Sequence, residues 1–461
     1  MFALLLSLAG CWLFDNEPPP TPPPSVETPQ TVVVLVACTM RADRLHVYGN
    51  ERETSPYIDA LAAGGARFER LITNAPWTKP AIGALVSGRY PRSLGIDSDG
   101  PEVNTDRGLH PDVTTLAERF SGAGWSTVGA TANPNTNEVF GFHQGFDEYH
   151  EATGLWRDDF KKVDGDDLVD AWLEKAREVE GPLYGQLVVV DTHSPLGAQR
   201  LRLARLGLPS VGKAPLVDRY DASVTALDDV VARLDAGLKA MGREDRLLVF
   251  IGDHGEGLDL PDWAGNAHGR YLYEPTLHIP WILHGPGVAA GHVIGGVAES
   301  VDMAPTLLEL AGVPTDEGIG PLHGASHADA VRGLRSETGA ARAYTETRYG
   351  RDDKARITTD DWVFIHNYQR SRQGVKRGRN ELYTAADRWQ EENVYKASEA
   401  NKATGDAFLE TLEALRGEHG EAPLVWEQSM TDEEREQLEA LGYIEEEDEA
   451  ADEQPEKPDG D

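Results

Sequence analysis

Cysteine is scarce in this sequence, with two residues among 461, Cys11 and Cys38. A fold held together by several disulfides is therefore excluded, and the 40% of apolar residues must supply a sizeable core instead. Basic residues are also few, since 43 Lys and Arg stand against 78 Asp and Glu, for a formal net charge of −35. Nucleic acid is excluded as a partner because it requires a basic surface. The acidic balance suits a soluble surface outside the cytoplasm.

Long apolar stretches are absent beyond the first ten residues, and none approaches the ~20 residues of a membrane-spanning helix. The apolar segment Met1–Gly10 ends in Leu-Ala-Gly directly before Cys11, a junction that resembles a bacterial lipobox. In a lipobox the cysteine is lipidated and becomes the first residue of the mature chain. The alternative is a short buried helix with an incidental cysteine. The proline run within 18–24 predicts an extended spacer after the anchor.

These features predict a signal peptide at residues 1–10 and a lipid-anchor and linker segment at residues 11–30. We expect acyl chains on Cys11 to hold the protein on a bacterial membrane, in an extracytoplasmic location. Cys38 is then the one remaining thiol, and a single thiol in an oxidising compartment usually has a reason to be there.

Continuous apolar runs rich in β-branched residues predict buried parallel strands at Thr31–Ala37, Gln186–Val190 and Leu247–Ile251. Helical patterns lie between or beside these runs, at residues 55–64, 113–123, 166–179 and 219–241. Strands that alternate with helices predict an α/β fold with a doubly wound, mostly parallel sheet. In such a sheet the ligand site lies beyond the carboxyl ends of the strands.

Polar side chains follow each of these three predicted strands. Cys38 follows the first strand, His193 lies shortly after the second, and Asp253 and His254 come after the third. Because the carboxyl ends of parallel strands meet at one edge of a sheet, we expect these side chains to converge there.

Several motifs, in a fixed order, resemble the sulfatase family within the alkaline phosphatase superfamily. They are Thr39–Leu45, Thr54–Leu61, Ala75–Pro91, Gly145–Tyr149, Asp253–Glu256, His268-Gly269, Val301–Leu308, Glu381–Tyr383 and Leu441–Tyr443. The resemblance implies a catalytic domain over 31–344 and a smaller C-terminal α+β subdomain over 345–443. The composition of the acidic tail, 444–461, predicts disorder.

Three positions differ from the family pattern. Where members with this opening carry an aspartate that binds metal, this sequence has Cys38. Where sulfatases carry the Cys or Ser that is converted to formylglycine, it has Thr78, and Ile82 replaces the arginine that helps to hold that group. Thr is not a known formylglycine precursor, since its Cβ carries a methyl group. We therefore expect no formylglycine.

Thr78 has two interpretations. It can cap the helix that follows, because Thr is a favoured N-cap residue and Pro80 suits a first helical turn. It can instead be a nucleophile, as Thr is in phosphate-handling relatives such as lipoteichoic acid synthase, where a metal lowers the pKa of the hydroxyl. His193 and His268 resemble family residues that contact the ester group, so we expect them to be catalytic together with Thr78.

Cys38, Asp253 and His254 form the expected ligand set for one divalent metal ion. A thiolate favours Zn²⁺ and is a poor ligand for Ca²⁺ or Mg²⁺, so zinc is expected if Cys38 binds, with Ca²⁺, Mg²⁺ or Mn²⁺ less favoured. The alternatives are a site that has lost its metal, with Cys38 as a small buried packing residue, and a plain strand-end turn at Asp253 and His254 that is closed by Gly255.

The resemblance implies a metal-dependent hydrolase or transferase that acts on sulfate or phosphate esters of envelope glycans or lipids. The alternative is a catalytically inactive lipoprotein of the same fold that binds an anionic glycan or a protein. The sequence leaves the substrate, the metal and the oligomeric state open.

Overall fold

The structure is a computed structural model that describes residues 28–97, 106–152, 162–196, 200–209, 214–258, 268–315, 320–350, 352–369, 377–420 and 424–440. The predicted signal peptide, Cys11, nearly all of the linker, the motif Leu441–Tyr443 and the acidic tail lie outside these residues. Within the described ranges, no helix combines the length and the apolarity needed to span a bilayer.

The larger sheet is mixed with a parallel centre, which confirms the predicted α/β class. Its described strands are β1 (Thr31–Ala37), β2 (Ala66–Ile72), β3 (Ser126–Thr131), β4 (Glu148–Glu151), β5 (Leu183–Val189), β6 (Arg246–Gly252), β7 (His278–Ile279), β8 (Trp281–His284) and β9 (His292–Glu299). They follow the order β4-β3-β5-β1-β6-β8-β2-β7, with β9 beside β2. Strand β1 pairs in parallel with β5 and β6, whereas β8 is antiparallel to β6 and β2.

The described residues form twelve α-helices, most of which surround this sheet. They are α1 (Pro56–Gly64), α2 (Thr78–Ser87), α3 (Pro91–Leu94), α4 (Leu116–Gly122), α5 (Gly165–Ala176), α6 (Arg200–Arg205), α7 (Leu216–Ala240), α8 (Glu274–Leu277), α9 (Met303–Ala311), α10 (Ala328–Val331), α11 (Glu399–Gly420) and α12 (Asp432–Ala440). The four predicted helical segments correspond to α1, α4, α5 and α7. The central helix α7 packs against α1 and α5 on one face of the sheet.

Strand β1 is apolar at every position after Thr31 because helices cover both faces of the sheet. Val32, Val34 and Val36 belong to one core cluster, and Val33 and Leu35 belong to another on the opposite face. Successive side chains of a strand point to opposite faces, so a strand buried on both sides has no place for an alternating polar residue.

A second, antiparallel sheet forms the C-terminal part of the structure. Its strands are β10 (Ala343–Tyr349), β11 (Asp352–Thr358), β12 (Trp362–Asn367) and β13 (Asn380–Thr384), and they neighbour one another in chain order. Helix α11 packs against β11, β12 and β13. Strand β10 begins at Ala343, two residues before the predicted start of the C-terminal subdomain at Thr345. The Thr345 hydroxyl donates a hydrogen bond to the Thr73 carbonyl. This contact fixes the smaller sheet against the segment that leads into α2.

Candidate active site

Cys38 and Asp253 are neighbours because of the register between β1 and β6. Ala37 is paired with Gly252 in the parallel ladder, so the next residue of each strand emerges at the same rim. The Cys38 thiol donates a hydrogen bond to Asp253 Oδ2 over 3.1 Å. Two backbone amides, those of Thr39 and His254, donate to the other oxygen, Oδ1, over 2.9 and 2.6 Å. The carboxylate is thereby oriented with Oδ2 towards the thiol.

Thr78 completes this cluster from the start of α2. Its Oγ1 lies 3.2 Å from His254 Nε2 and 3.5 Å from Cys38 Sγ. The N-cap position belongs to Trp77, and Thr78 is the first residue inside the helix. An N-cap residue precedes the first helical residue, and Thr78 is itself the first helical residue of α2. The interpretation of Thr78 as the helix cap is therefore wrong.

The donor atoms of Cys38, Asp253 and His254 lie within 4.8 Å of one another, and all three side chains are buried. His254 Nδ1 faces the Gly255 carbonyl at 2.8 Å, which fixes the tautomer with its proton on Nδ1. Nε2 therefore presents its lone pair towards Asp253 Oδ2, 3.4 Å away. One sulfur, one oxygen and one nitrogen that converge in this way fit a divalent ion of zinc type. The plain-turn interpretation of Asp253 and His254 does not account for this convergence.

Burial dominates the electrostatics of these three groups. It raises the pKa of the Cys38 thiol, and the Asp253 carboxylate raises it further. Burial also raises the pKa of Asp253 and lowers the pKa of His254. A cation bound among these atoms would oppose the rise in the pKa of Cys38 and Asp253 and would lower the pKa of His254 further, because metal ligands bind in their deprotonated forms.

Several residues that position Cys38 were missed by sequence reasoning. Asn133 Nδ2 donates to Cys38 Sγ over 3.0 Å, and the hydroxyls of Thr39 and Thr192 both donate to the Cys38 carbonyl over 2.6 Å. Thr39 has a left-handed backbone with φ of 57°, which a β-branched residue rarely adopts. Asn133 lies two residues after β3, so the strand-end argument used for the other strands would have found it.

The two predicted catalytic histidines join the same cluster. The ring of His268 is 4.4 Å from that of His254 and 5.4 Å from that of His193, measured between ring centroids. The structure thus brings all six predicted residues of the described chain together: Cys38, Thr78, His193, Asp253, His254 and His268.

The pKa values of the two histidines change in opposite directions because their neighbours differ. Burial, followed by the nearby His268, lowers the pKa of His193 to about 3. Burial acts to lower the pKa of His268 as well, but the Glu256 carboxylate, 3.3 Å from Nδ1, outweighs it and raises that pKa. His193 is therefore a neutral hydrogen-bonding group, whereas His268 is favoured in its protonated form. Glu256 lies in one of the sequence motifs, but sequence reasoning gave it no role.

Two residues of α2 close to Thr78, Lys79 and Ile82, are packed into the interior, and Ile82 is the one that replaces the family's arginine. Ile82 is fully buried in the core cluster that includes Leu85 and Ile96. Lys79 is also fully buried, with its ammonium nitrogen 3.4 Å from the centre of the Phe140 ring. Position 82 therefore presents an apolar side chain to the core in place of a cation beside Thr78.

Comparisons with known proteins support the family resemblance. A family model described as Sulfatase matches residues 30–313. N-acetylgalactosamine-6-sulfatase of Sus scrofa is 25% identical over 369 residues, which is 68% of this chain and 67% of that protein. The chain thus spans about two thirds of the length of this relative and of its rodent counterparts.

Solved structures share the fold over most of the chain. Ps i-CgsB, solved in complex with k-i-k-neocarrahexaose, has a TM-score of 0.67 at 19% identity and covers 90% of this chain and 98% of its own. Phosphonate monoester hydrolase of Agrobacterium radiobacter has a TM-score of 0.66 at 17% identity and covers 84% of this chain and 96% of its own. At these identities the likeness concerns the fold alone.

Proposed function

Because the chain belongs to the sulfatase family, we propose that it cleaves or transfers a sulfate or phosphate ester, with Thr78 as the attacking residue. The single observation that carries this proposal is the position of the Thr78 hydroxyl. It lies at the start of a buried helix, 3.2 Å from His254 Nε2 and 3.5 Å from Cys38 Sγ, beside three converging metal-ligand atoms.

Cys38, Asp253 and His254 would hold the metal ion in this proposal. Bound there, a zinc-type ion supplies Lewis acidity that lowers the pKa of a neighbouring hydroxyl and stabilises charge on ester oxygens. Asn133 donates to Cys38 Sγ and the backbone of Thr39 and His254 donates to Asp253, so each ligand is oriented by a second contact.

Thr78 loses its hydroxyl proton to solvent water as its Oγ forms a bond to the sulfur or phosphorus atom, and the bond from that atom to the ester oxygen of the alcohol breaks. His268 supplies the proton that the departing oxygen needs, because Glu256 favours its protonated form. The Glu256 contact engages Nδ1, so the donated proton comes from Nε2. Water, or a second alcohol, then takes the group from Thr78 and restores the hydroxyl.

A phosphate ester is the better-suited substrate of the two. The formylglycine route releases sulfate by breaking a bond within the modified residue, and Thr78 has no such route. An ester formed on Thr78 must instead be cleaved by attack on the transferred group, as in phosphoryl-transfer enzymes that use a hydroxyl nucleophile.

The proposed substrate is an anionic glycan or lipid headgroup of the cell envelope, reached from the outer face of a membrane. The lipobox-like junction at Cys11, the proline spacer and the acidic balance of the chain support a lipid-anchored, extracytoplasmic protein. Two neighbours of similar fold were solved with saccharides, Ps i-CgsB and BT4656, the latter in complex with D-glucosamine-2-N,6-O-disulfate.

A binding protein without turnover is the second candidate, and the buried Ile82 favours it. Burial of an apolar residue at this position removes a fixed cation that would offset the charge of an ester group next to Thr78. In that case Cys38 is an inert thiol and the cluster is a packed remnant of a catalytic site.

Turnover of 4-nitrophenyl sulfate, phosphate and phosphonate by the purified protein, together with its metal content, tests the proposal. We expect bound zinc, and we expect Thr78→Ala to lose activity by roughly 100-fold or more while Thr78→Ser retains part of it. Thr404→Ala on the exposed face of α11 is the matched control and should have no effect. A metal-free protein that turns over none of the three esters would favour the binding protein.

A further inference from the structure

A cavity of about 670 Å³ lies away from the Thr78 cluster, between the larger sheet and the loops of the smaller one. Strand β2 supplies Arg67 and Arg70, β7 supplies His278, and the loop after β13 supplies Arg388. Clefts between two structural units are common ligand sites, because each unit can present polar groups that its own packing leaves unmatched.

Three arginines, Arg67, Arg70 and Arg388, line this cavity, although the chain as a whole carries −35. The Glu274 carboxylate in its wall is already matched, by Arg70 at 3.4 Å and by the buried Arg356 at 2.5 Å. The remaining carboxylates of the lining, Glu69 and Asp360, are exposed to solvent. Three arginines and three carboxylates therefore line the cavity, and two of the arginines have no ion-pair partner among the residues that the structure describes.

Those two arginines are Arg67 and Arg388. The Arg67 guanidinium lies 5.2 Å from the centre of the Tyr48 ring, and neither arginine forms an ion pair with any residue that the structure describes. An arginine guanidinium offers donors in a planar fork that matches sulfate, phosphate and carboxylate oxygens. Two such groups at one cavity are suited to an oxyanion.

The loop that carries Arg388 is fixed in place by a buried glutamine. Gln390 Oε1 accepts a hydrogen bond from the Glu274 amide over 2.7 Å, and its Nε2 donates to the carbonyls of Asp387 and Arg388 over 3.1 Å. Gln390 itself has a left-handed backbone with φ of 52°. A non-glycine residue held in this strained conformation points to a loop whose position matters. The Arg388 backbone is thus set at the cavity before any ligand arrives.

An exposed tryptophan, Trp389, directly follows the cavity residue Arg388 in the chain. Trp389 has 49% of its surface exposed, and its ring centre lies 5.7 Å from the Arg41 guanidinium. Arg41 in turn donates to the Glu256 carbonyl over 3.1 Å. An exposed indole is a flat apolar surface with a polar edge, which suits the face of a sugar ring.

We propose that this cavity binds a sulfate- or phosphate-bearing sugar unit of an anionic glycan, through Arg67 and Arg388 with Trp389 beside the sugar ring. The proposal that an oxyanion binds here depends only on the residues of the cavity, whereas the choice of a glycan rests on the proposed function. A cavity that binds one sugar unit of a polymer would retain a polymeric substrate between successive reactions.

Calorimetric titration of the full chain with a sulfated tetrasaccharide tests this proposal, with the desulfated tetrasaccharide and inorganic sulfate as separate arms. We expect the double variant Arg67→Ala/Arg388→Ala to raise Kd for the sulfated tetrasaccharide on the order of ten-fold or more, or to abolish one class of sites. Ala386→Asp adds a carboxylate at the cavity without removing a contact and should have the same effect. Arg177→Ala, an exposed arginine at the end of α5, is the matched control.

Trp389→Phe provides a local readout, because the fluorescence change on titration should shrink in this variant while the control keeps it. Thr78→Ala should bind the sulfated tetrasaccharide at the cavity as the native protein does, so the proposal survives even if the protein turns over no ester. Unchanged affinity in both cavity variants would overturn the site. Inorganic sulfate that binds as tightly as the tetrasaccharide, or a desulfated tetrasaccharide that binds equally well, would overturn the assignment to an anionic glycan.

Discussion

Replacing Lys79 by methionine should stabilise the protein at neutral pH, although it removes a charged residue next to Thr78. Lys79 is fully buried in the first turn of α2. Burial lowers its pKa from 10.5 to about 7. Since each pKa unit corresponds to ~1.4 kcal/mol, Lys79 costs the folded state about 4 kcal/mol at pH 7. Its ammonium lies 3.4 Å from the Phe140 ring centre, and losing that contact removes ~1 kcal/mol. Methionine has a similar volume and no charge, so it removes the electrostatic cost of burying Lys79, and the variant should be more stable than the native protein at pH 7.

The pH dependence of this gain follows from the direction of the pKa change. The folded-state pKa lies below the unfolded one, so the penalty is absent above pH 10.5 and grows as the pH falls towards 7. Below about pH 7 both states are protonated and the penalty stays constant. The stability difference between Lys79→Met and native protein should therefore be largest at or below pH 7 and shrink to less than about 1 kcal/mol by pH 10.

Urea denaturation of the two proteins at pH 6, 7, 8, 9 and 10 measures this difference. Lys175→Met is the control, because Lys175 is exposed on α5 and its contact with Glu148 spans 3.7 Å at the surface. Its effect should stay within ~0.5 kcal/mol at every pH. A Lys79→Met variant that is less stable at pH 7, or whose gain is the same at pH 7 and pH 10, would refute the reasoning. A confirmed gain would mean that the chain retains a destabilising lysine beside its proposed nucleophile.

The remaining predictions concern the site and the anchor. Mass spectrometry of the peptide that contains Thr78 should find an unmodified threonine, and an aldehyde there would contradict the argument from its methyl group. Native protein should copurify with zinc, and Cys38 should resist alkylation until a chelator is added. The Cys38→Asp variant should gain binding of Mn²⁺, Mg²⁺ or Ca²⁺. Native protein that contains no metal, and whose thiol is unreactive both with and without the chelator, would exclude a metal site. Glu256→Gln should lower the pKa of His268 and shift the pH profile of turnover downwards on its alkaline side, and an unchanged profile would remove His268 as the acid. Cys11→Ser should release the protein from membranes, and full retention would argue against lipidation.

Sequence alone predicted the three central strands of the sheet, β5, β1 and β6, and most of the residues at its rim. The apolar run of β1 required burial on both faces, and the polar residues after β1 and β6 could only meet where two parallel strands end. The ordered motifs added the expected positions of Thr78, His193 and His268, which belong to different segments of the chain. Asn133 could have been found by the same reasoning, but its strand, Ser126–Thr131, lacks a strong β-branched run and was not predicted.

Sequence could not decide how the atoms of the site face one another. Cys38 is 40 residues from Thr78 and 215 from Asp253, so their separations depend on sheet register and on how α2 packs. The helix boundary that makes Trp77 the cap depends on backbone angles that Thr78 and Pro80 do not fix by type.

Tertiary structure also decided the charge states and the second cavity. The opposite pKa changes of His193 and His268 arise because only His268 lies beside Glu256, although both rings are buried. Arg67 and Arg388 are 321 positions apart in the chain and meet only because the smaller sheet docks on β2. Local sequence sets which residues are apolar, polar or charged. Long-range packing sets which of them are buried next to one another. In a buried, low-dielectric environment, differences of a few ångströms in the distance between two groups change their protonation, metal binding and ligand recognition.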